Sequence, residues 1–213
     1  MEETKSFFGA IVLGSRNAKK LGEIAELLAP HGLEVVSVGA FPGVPEVHED
    51  GQSFRENAEK KAREVALCLH RWVIAEDSGL CVDALGGAPG VYSARYAGEQ
   101  GNDEANNEKL LRELAAVPDE QRTAFYVCSA VLADPRGTIC AAAEGRCRGR
   151  ILREYRGENG FGYDPLFLIP EYHQTFGELP PAVKRHISHR ARAFERFLPQ
   201  VVRCLTAARS SQT

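Results

Sequence analysis

The chain has 213 residues, 44% of them hydrophobic and 26% charged, with 26 basic against 29 acidic side chains and a net charge of −3. That length holds a sizeable core, in one domain or one domain with a lobe attached. A chain without basic surplus is poorly suited to a nucleic-acid backbone, so any nucleotide it binds is expected to be a small molecule and not a polymer.

Six cysteines, Cys68, Cys81, Cys128, Cys140, Cys147 and Cys204, show no CxxC or Cys/His ligand spacing. Several lie among apolar neighbours, where a reduced thiol behaves as a small hydrophobe. The opening "MEETKS" lacks the charged-then-apolar order of a signal peptide. No apolar run approaches the ~20 residues of a membrane span. The expectation is a soluble, reduced, cytoplasmic protein with no membrane partner.

In chain order, residues 7–13 read as a buried strand and Asn17 to about Ala29 as a helix. The apolar positions Leu21, Ile24, Ala25 and Leu28 repeat as i, i+3, i+4, i+7. Residues 32–38 form a second strand, followed by the acidic Pro/Gly loop "FPGVPEVHEDGQ" at 41–52. Ser53 and Glu56 make a capping box that opens a helix to about His70. Its buried stripe is expected to be Phe54, Ala58, Ala62, Val65, Ala66 and Leu69. "RWVIA" at 71–75 is a short strand ending in the turn "EDSG", and 83–98 is too rich in Gly and Pro for a simple element. A polar helix follows at about 103–116, then two long strands at 122–133 and 138–149 joined by the turn "DPRG". "GENGFGYDPLFLIP" leads through a glycine-rich turn into another strand. A last helix starts near Ser188 and buries Ala191, Phe194, Leu198, Val201, Val202 and Leu205, before a loose tail at 208–213. There is no internal repeat. The fold class is therefore α/β, with a long central hairpin and two lobes around a cleft.

Four groups of residues could carry chemistry. "GSRNAKK" (Gly14–Lys20) places three cations at a helix start, where unpaired N–H groups already make the site electropositive. Ser15, Arg16, Asn17 and the lysines could cradle phosphate oxygens; equally, Asn17 could simply cap the helix with the lysines solvated. The GxxxxGK[ST] pattern of a P-loop is absent. "KRHISHRARAF" gathers Lys184, Arg185, His189 and Arg190 around a second helix start, as a ligand pocket or as a basic surface face. Glu76 and Asp77, at the C-terminal end of the strand "RWVIA", and Glu49 and Asp50, in the preceding loop, are hard-oxygen donors suited to Mg²⁺. A carboxylate beside such a metal could also deprotonate a water; equally, Asp77 could serve only to cap the turn. "GFGYDP" (160–165) offers glycines for close backbone approach, an aromatic ring for stacking on a base, and Asp164 as an acceptor for a ring N–H; the bland alternative is a glycine-rich turn.

Taken together, "SRNAKKLGEI", "GQSFRENAEKKA", "EDSGLCVDALGGAPGVYSARYAG", "GENGFGYDPLF" and "ISHRARAF" occur in this order between Ser15 and Phe194, and the resemblance they carry covers about residues 7 to 205. In these runs the chain resembles the non-canonical purine nucleoside triphosphate pyrophosphatases, the inosine/xanthosine triphosphate pyrophosphatase family. The resemblance implies a single domain over 1–213 with an elongated, mixed-sheet, two-lobed fold and a central cleft. It also implies a cytoplasmic homodimer that uses Mg²⁺ to hydrolyse dITP, ITP and XTP to the monophosphate and pyrophosphate. By the same resemblance, Ser15, Arg16, Asn17, Ala18, Lys19 and Lys20 belong to the triphosphate loop, and Glu49, Glu76 and Asp77 to the metal set. Asp77 is also the expected proton acceptor, and Lys20 the second catalytic residue, stabilising the pyrophosphate leaving group. Ser78 touches substrate, Phe161, Gly162, Tyr163 and Asp164 recognise the base, and Lys184, His189 and Arg190 complete the pocket for a 6-oxo purine. Two positions depart from the family pattern: Arg16 stands where a glycine is frequent, and Glu76 where many relatives carry Asp. A pyrimidine-directed pyrophosphatase of the Maf-like type and a nucleotide sensor without catalysis are the competing readings.

Overall fold

The computed structural model describes residues 10–210. The elements are β1 (Ile11–Leu13), α1 (Ala18–Leu28), β2 (Val35–Ser37), α2 (Phe54–Leu69), β3 (Val73–Val82), α3 (Asp103–Glu113), β4 (Thr123–Ala133), β5 (Ile139–Ile151), β6 (Phe167–Ile169), β7 (Gln174–Thr175), α4 (Pro181–Ile187) and α5 (His189–Ser210). The strands form a seven-stranded sheet in the order β2-β1-β3-β4-β5-β6-β7. β1 runs parallel to β2 and β3, while β6 is antiparallel to β5 and β7, so the sheet is mixed and the α/β class holds. No helix among the described residues is long and apolar enough to cross a membrane.

The chain divides into two compact units. The first runs to Asp77 and adds Ser129–Glu144 and the segment from Ala193 onward; the second comprises Ser78–Cys128 and Gly145–Arg192. In the first, the alanine-rich face of α2 (Ala58, Ala62, Val65, Ala66) packs with Val12, Val73, Ala75, Val131 and Ala133. Small side chains there let helix and sheet approach closely, and their burial removes apolar area from water at about 25 cal/mol per Å². In the second, Leu80, Val82 and Leu110 pack with an aromatic set whose Tyr126 and Phe167 rings have centroids 4.6 Å apart.

Most elements lie where periodicity and turn chemistry put them, and the exceptions have physical causes. β1 is described only from Ile11, and residues 7–9 of the expected strand lie outside the described residues, as do 211–213 of the expected tail. Residues 208–210, expected in that tail, continue α5. The N-cap of α2 forms as expected, with Ser53 Oγ accepting from Glu56 N at 3.2 Å. The reciprocal arm differs, because Glu56 Oε2 accepts from Gln52 N and not from the cap residue. Val202, expected in the core, is exposed, while Val201 beside it is buried. The largest correction concerns β3. It does not stop at Ala75 but runs for ten residues in all, Val73–Val82, through "EDSG", so Glu76 and Asp77 stand inside a strand and not in a turn after it. α4 is a short helix that the residue pattern around Lys184 did not suggest.

One buried cation ties the second unit together. Arg122, 2% exposed, donates from Nε to the Ile151 carbonyl, from Nη1 to Leu114 and from Nη2 to Leu152, at 2.8, 2.6 and 2.9 Å. It thereby joins the end of α3 to the end of β5. Replacing Arg122 with Met would bury a similar volume but take this donor from the Ile151 and Leu152 carbonyls, each worth about 1–3 kcal/mol when left unpaired, while the Leu114 carbonyl keeps Val117 N at 3.0 Å. Urea unfolding of Arg122→Met should show a loss of about 2 kcal/mol or more, and a loss below about 1 kcal/mol would contradict this role.

Candidate functional site

The first group of site residues lies in the first unit. β1 ends at Leu13, level with Ile74 of β3, and Gly14 N donates to the Ile74 carbonyl at 2.8 Å. β3 continues past that point, so Glu76 and Asp77 stand beyond the C-terminal end of β1, where the Gly14–Asn17 loop turns into α1. Ligand sites in open α/β sheets are found beyond such strand ends. The sequence placed these acids just after the strand "RWVIA"; in the structure they stand inside β3, beyond the last residue of β1.

The loop is internally tied. Asn17 Oδ1 caps α1, accepting from Lys19 N at 3.0 Å and Lys20 N at 3.1 Å. Ser15 accepts at its carbonyl from Ser37 Oγ at 2.8 Å, and Arg16 Nη2 donates to the Val44 carbonyl at 2.6 Å. Ala18 and Lys19 are exposed. Lys20 Nζ lies 2.6 Å from Glu76 Oε1, whose side chain has no exposed surface. Of the cations at this helix start, Lys20 therefore faces a buried carboxylate and Arg16 a backbone carbonyl.

Helix α2 supplies two residues that the sequence reading missed. Asn57 Nδ2 donates to Asp77 Oδ2 at 3.1 Å while its Oδ1 accepts from Gly51 N at 2.8 Å. A Cβ on Gly51 would come within 2.6 Å of that Oδ1, so a glycine is required for the loop to pass. Lys61 Nζ lies 2.7 Å from Glu49 Oε1 and 3.5 Å from Asp77 Oδ1, with only 7% of the residue exposed. Asn57 and Lys61 are four residues apart, hence one above the other on the helix face that also buries Ala58 and Ala62. Their burial on that face follows from partners distant in sequence, Asp77 and Glu49.

These groups are coupled electrostatically. Burial pushes the Asp77 carboxyl above its ordinary value; Lys61 and Lys20 pull it back, Glu49 adds to the rise, and the net direction is up. For Lys61, burial alone disfavours the ammonium, but the charges of Asp77 and Glu49 outweigh it and its pKa is raised. The arrangement is a carboxylate poised to take a proton, held charged by a lysine it shares with a second acid.

Glu49, Glu76 and Asp77 are all hard oxygen donors, the chemistry Mg²⁺ requires, so the donor set fits that ion. Among the described residues no three His, Cys, Asp or Glu side chains are gathered around a common point. Lys61 and Lys20 hold the positive charge against these acids.

The second group lies in the second unit. Gly160 has φ +77°, and a Cβ there would come within 2.0 Å of Asp164 Oδ2, so only glycine fits. That oxygen accepts from Phe161 N at 2.8 Å and from Lys184 Nζ at 2.6 Å, and Lys184 Nζ also lies 4.7 Å from the centre of the Phe161 ring. Tyr163 is buried, its hydroxyl donating to the Ser93 carbonyl at 2.8 Å, which leaves the half-buried Phe161 as the ring suited to stacking. His189 opens α5 and stacks on Tyr126 at 4.7 Å and 14°, a support the sequence did not reveal. Arg190 Nη2 donates to Ser78 Oγ at 3.2 Å. Lys184, His189 and Arg190 are all buried, so they do not form a solvated basic face.

Comparison with known proteins follows the same span of chain. Residues 11–200 match the Ham1 family. A protein of Rhodopirellula baltica named dITP/XTP pyrophosphatase is 55% identical over 201 residues, covering 94% of this chain and 97% of its own. One of Desulforamulus reducens with the same name is 55% identical over 188 residues, covering 88% and 93%. The solved structure of a HAM1 protein from Coxiella burnetii superposes with a TM-score of 0.81 at 40% identity, over 93% of this chain and 98% of that one.

The Lys61–Asp77 coupling has a pH signature. Replacing Lys61 with Met removes the strongest influence lowering the Asp77 pKa, which rises further above its ordinary 3.8. A carboxyl with a raised folded pKa contributes stability below its unfolded pKa and loses it as pH climbs through the folded value. The stability deficit of Lys61→Met should therefore be small near pH 4 and grow toward about pH 7, as read by unfolding at several pH values. A deficit that stays constant over that range would contradict the coupling.

Proposed function

The chain belongs to the Ham1 family, and from that premise we propose that it hydrolyses non-canonical purine nucleoside triphosphates, dITP, ITP and XTP, to the monophosphate and pyrophosphate. The observation that carries the reading is Asp77, a 5%-exposed carboxylate inside β3, held by Asn57 and Lys61 and followed directly by Ser78. A buried acid with a raised pKa is a natural general base, and the names of the relatives supply the reaction class.

In this reading Asp77 accepts a proton from a water that attacks the α-phosphorus. The new P–O bond forms as the bond to the β-phosphate oxygen breaks, and pyrophosphate leaves. Lys20, together with the Ser15–Lys19 loop, stands against the charge of the leaving group. Glu49, Glu76 and Asp77 would hold Mg²⁺, which supplies neutralising charge for phosphate oxygens. Phe161 offers its face to the base, while Lys184, His189 and Arg190 supply donors for a 6-oxo group. Adenine presents an amino donor at that position, and each donor facing a donor costs about 1–3 kcal/mol, enough for selection by orders of magnitude. The same family reading implies a homodimer acting on free nucleotides in the cytoplasm.

The test is pyrophosphate release from ITP, XTP, dITP, GTP and ATP, with Mg²⁺ and with EDTA. Release that depends on Mg²⁺ and favours the first three is expected; equal release from all five would remove the base-recognition assignment. Asp77→Asn should lower turnover by about 10²–10⁴-fold while ITP binding persists. Substantial residual activity would exclude Asp77 as the base. No release by the native chain, with ITP still bound, would make it a nucleotide-binding module.

A further inference from the structure

Helix α3 presents polar side chains where a packed helix usually presents apolar ones. Asp103, Asn106, Asn107 and Leu110 fall at i, i+3, i+4 and i+7, and of these only Leu110 joins the apolar core. Two of the polar three act on the backbone of a single residue. Asp103 Oδ2 accepts from Gly162 N at 2.8 Å, and Asn107 Nδ2 donates to the Gly162 carbonyl at 2.9 Å. Gly162 N–H belongs to the peptide plane shared with Phe161, and its carbonyl to the plane shared with Tyr163. One helix turn therefore fixes both peptide planes on either side of Gly162.

Gly162 needs such a hold. It sits at φ +62°, and with no side chain to pack, its conformation is set only by what its backbone groups bind. The segment is held at its other end by Asp164, whose Oδ2 takes Phe161 N and Lys184 Nζ. Phe161 is thus pinned from its amide side by Asp164 and from its carbonyl side by the Asp103 contact. The platform is itself anchored: Asn102 Oδ1 caps α3 at Ala105 N, Asn106 bridges Ala97 N and the Ala94 carbonyl, and Arg122 takes the Leu114 carbonyl just beyond its last turn.

We propose that Asp103 and Asn107 are positioning residues for base selection, clamping Gly162 so that Phe161 and the Asp164–Lys184 pair keep one fixed geometry. The proposal rests on the reading of Phe161–Asp164 as the base-recognition segment. The clamp does not act on phosphates or on Asp77, so its loss falls on KM and on discrimination between bases more than on kcat.

The experiment compares Asp103→Ala, Asn107→Ala and the conservative Asp103→Asn, whose amide oxygen still accepts from Gly162 N. Steady-state kinetics on ITP and ATP are measured with Mg²⁺, alongside thermal unfolding and hydrogen exchange of the Gly162 amide. Lys184→Met serves as the reference for the base-recognition reading. Expected are a rise of about tenfold in KM for ITP, kcat within about threefold of native, and an ITP-over-ATP preference reduced about tenfold in both alanine variants. Gly162 exchange should quicken in Asp103→Ala, and Asp103→Asn should restore both preference and protection. If Lys184→Met erodes the preference while the alanine variants only lower the melting temperature, the clamp is structural and the proposal fails with the base reading intact. If none of the variants, Lys184→Met included, alters the preference, the base reading itself fails. Should Asn107→Ala not fold, Asp103→Ala against Asp103→Asn decides, since Asp103 is only half-buried.

Discussion

The ammonium of Lys61 shared between Glu49 and Asp77 is the interaction on which the first unit is organised. An ionised carboxylate in the interior of a strand is costly to desolvate, and Asp77 is tolerated there because Lys61 and Asn57 meet it. That requirement reaches outward. It brings α2 against β3 with its alanine face, draws the loop at Glu49 and Gly51 onto the helix start, and requires a glycine at 51 where Asn57 passes. The same cation that stabilises the charged form also keeps burial from neutralising the acid outright. A buried carboxylate left to itself would hold its proton; one over-paired with lysines would be too weak a base. Asp77 lies between these limits, with its pKa raised and its partner close.

The second unit uses the same device for a different end. Lys184 and Asp164 form a buried pair at 2.6 Å, but here the acid also takes a backbone amide, and the cation also faces an aromatic ring. Such a pair fixes a loop. Removing one partner of a buried pair typically costs 3–5 kcal/mol, so neither side chain is free to wander. The contrast with Asp77 lies in the partners, because Asp164 takes a backbone amide of its own turn whereas Asp77 is met by side chains from α2. Geometry, more than residue type, separates the acid that would react from the acid that positions.

Much of this was legible in the chain itself. The periodicity of α1, α2 and α5, the hairpin at "DPRG" and the cap at Ser53 are local properties, and they fold as local physics dictates. Asn17 likewise does what an Asn before a helix ordinarily does. What was not legible depended on partners distant in sequence. "EDSG" reads as a turn because acids rarely occupy strand interiors, and it is distant partners such as Lys20, Asn57 and Lys61 that make them tolerable there. Lys61 itself reads as a solvated helix residue, since nothing local distinguishes it from the neighbouring Lys60, which pairs with Asp50 at the surface. The polar face of α3 was visible as composition but had no meaning until Gly162, more than fifty residues away, was placed against it. The cations at 184, 189 and 190 could by themselves be read as a pocket or as a surface face, and they prove to be buried, with α4 and the ring of Tyr126 supporting them.

The central claim is that Asp77 directs water to the α-phosphorus. Hydrolysis of ITP in ¹⁸O-labelled water, with mass analysis of both products, tests it most directly. The account requires the label in the monophosphate, with pyrophosphate unlabelled. Label in pyrophosphate would place the attack on the β-phosphorus, and label in orthophosphate with inosine diphosphate as co-product would place it on the γ-phosphorus; either result would contradict the mechanism.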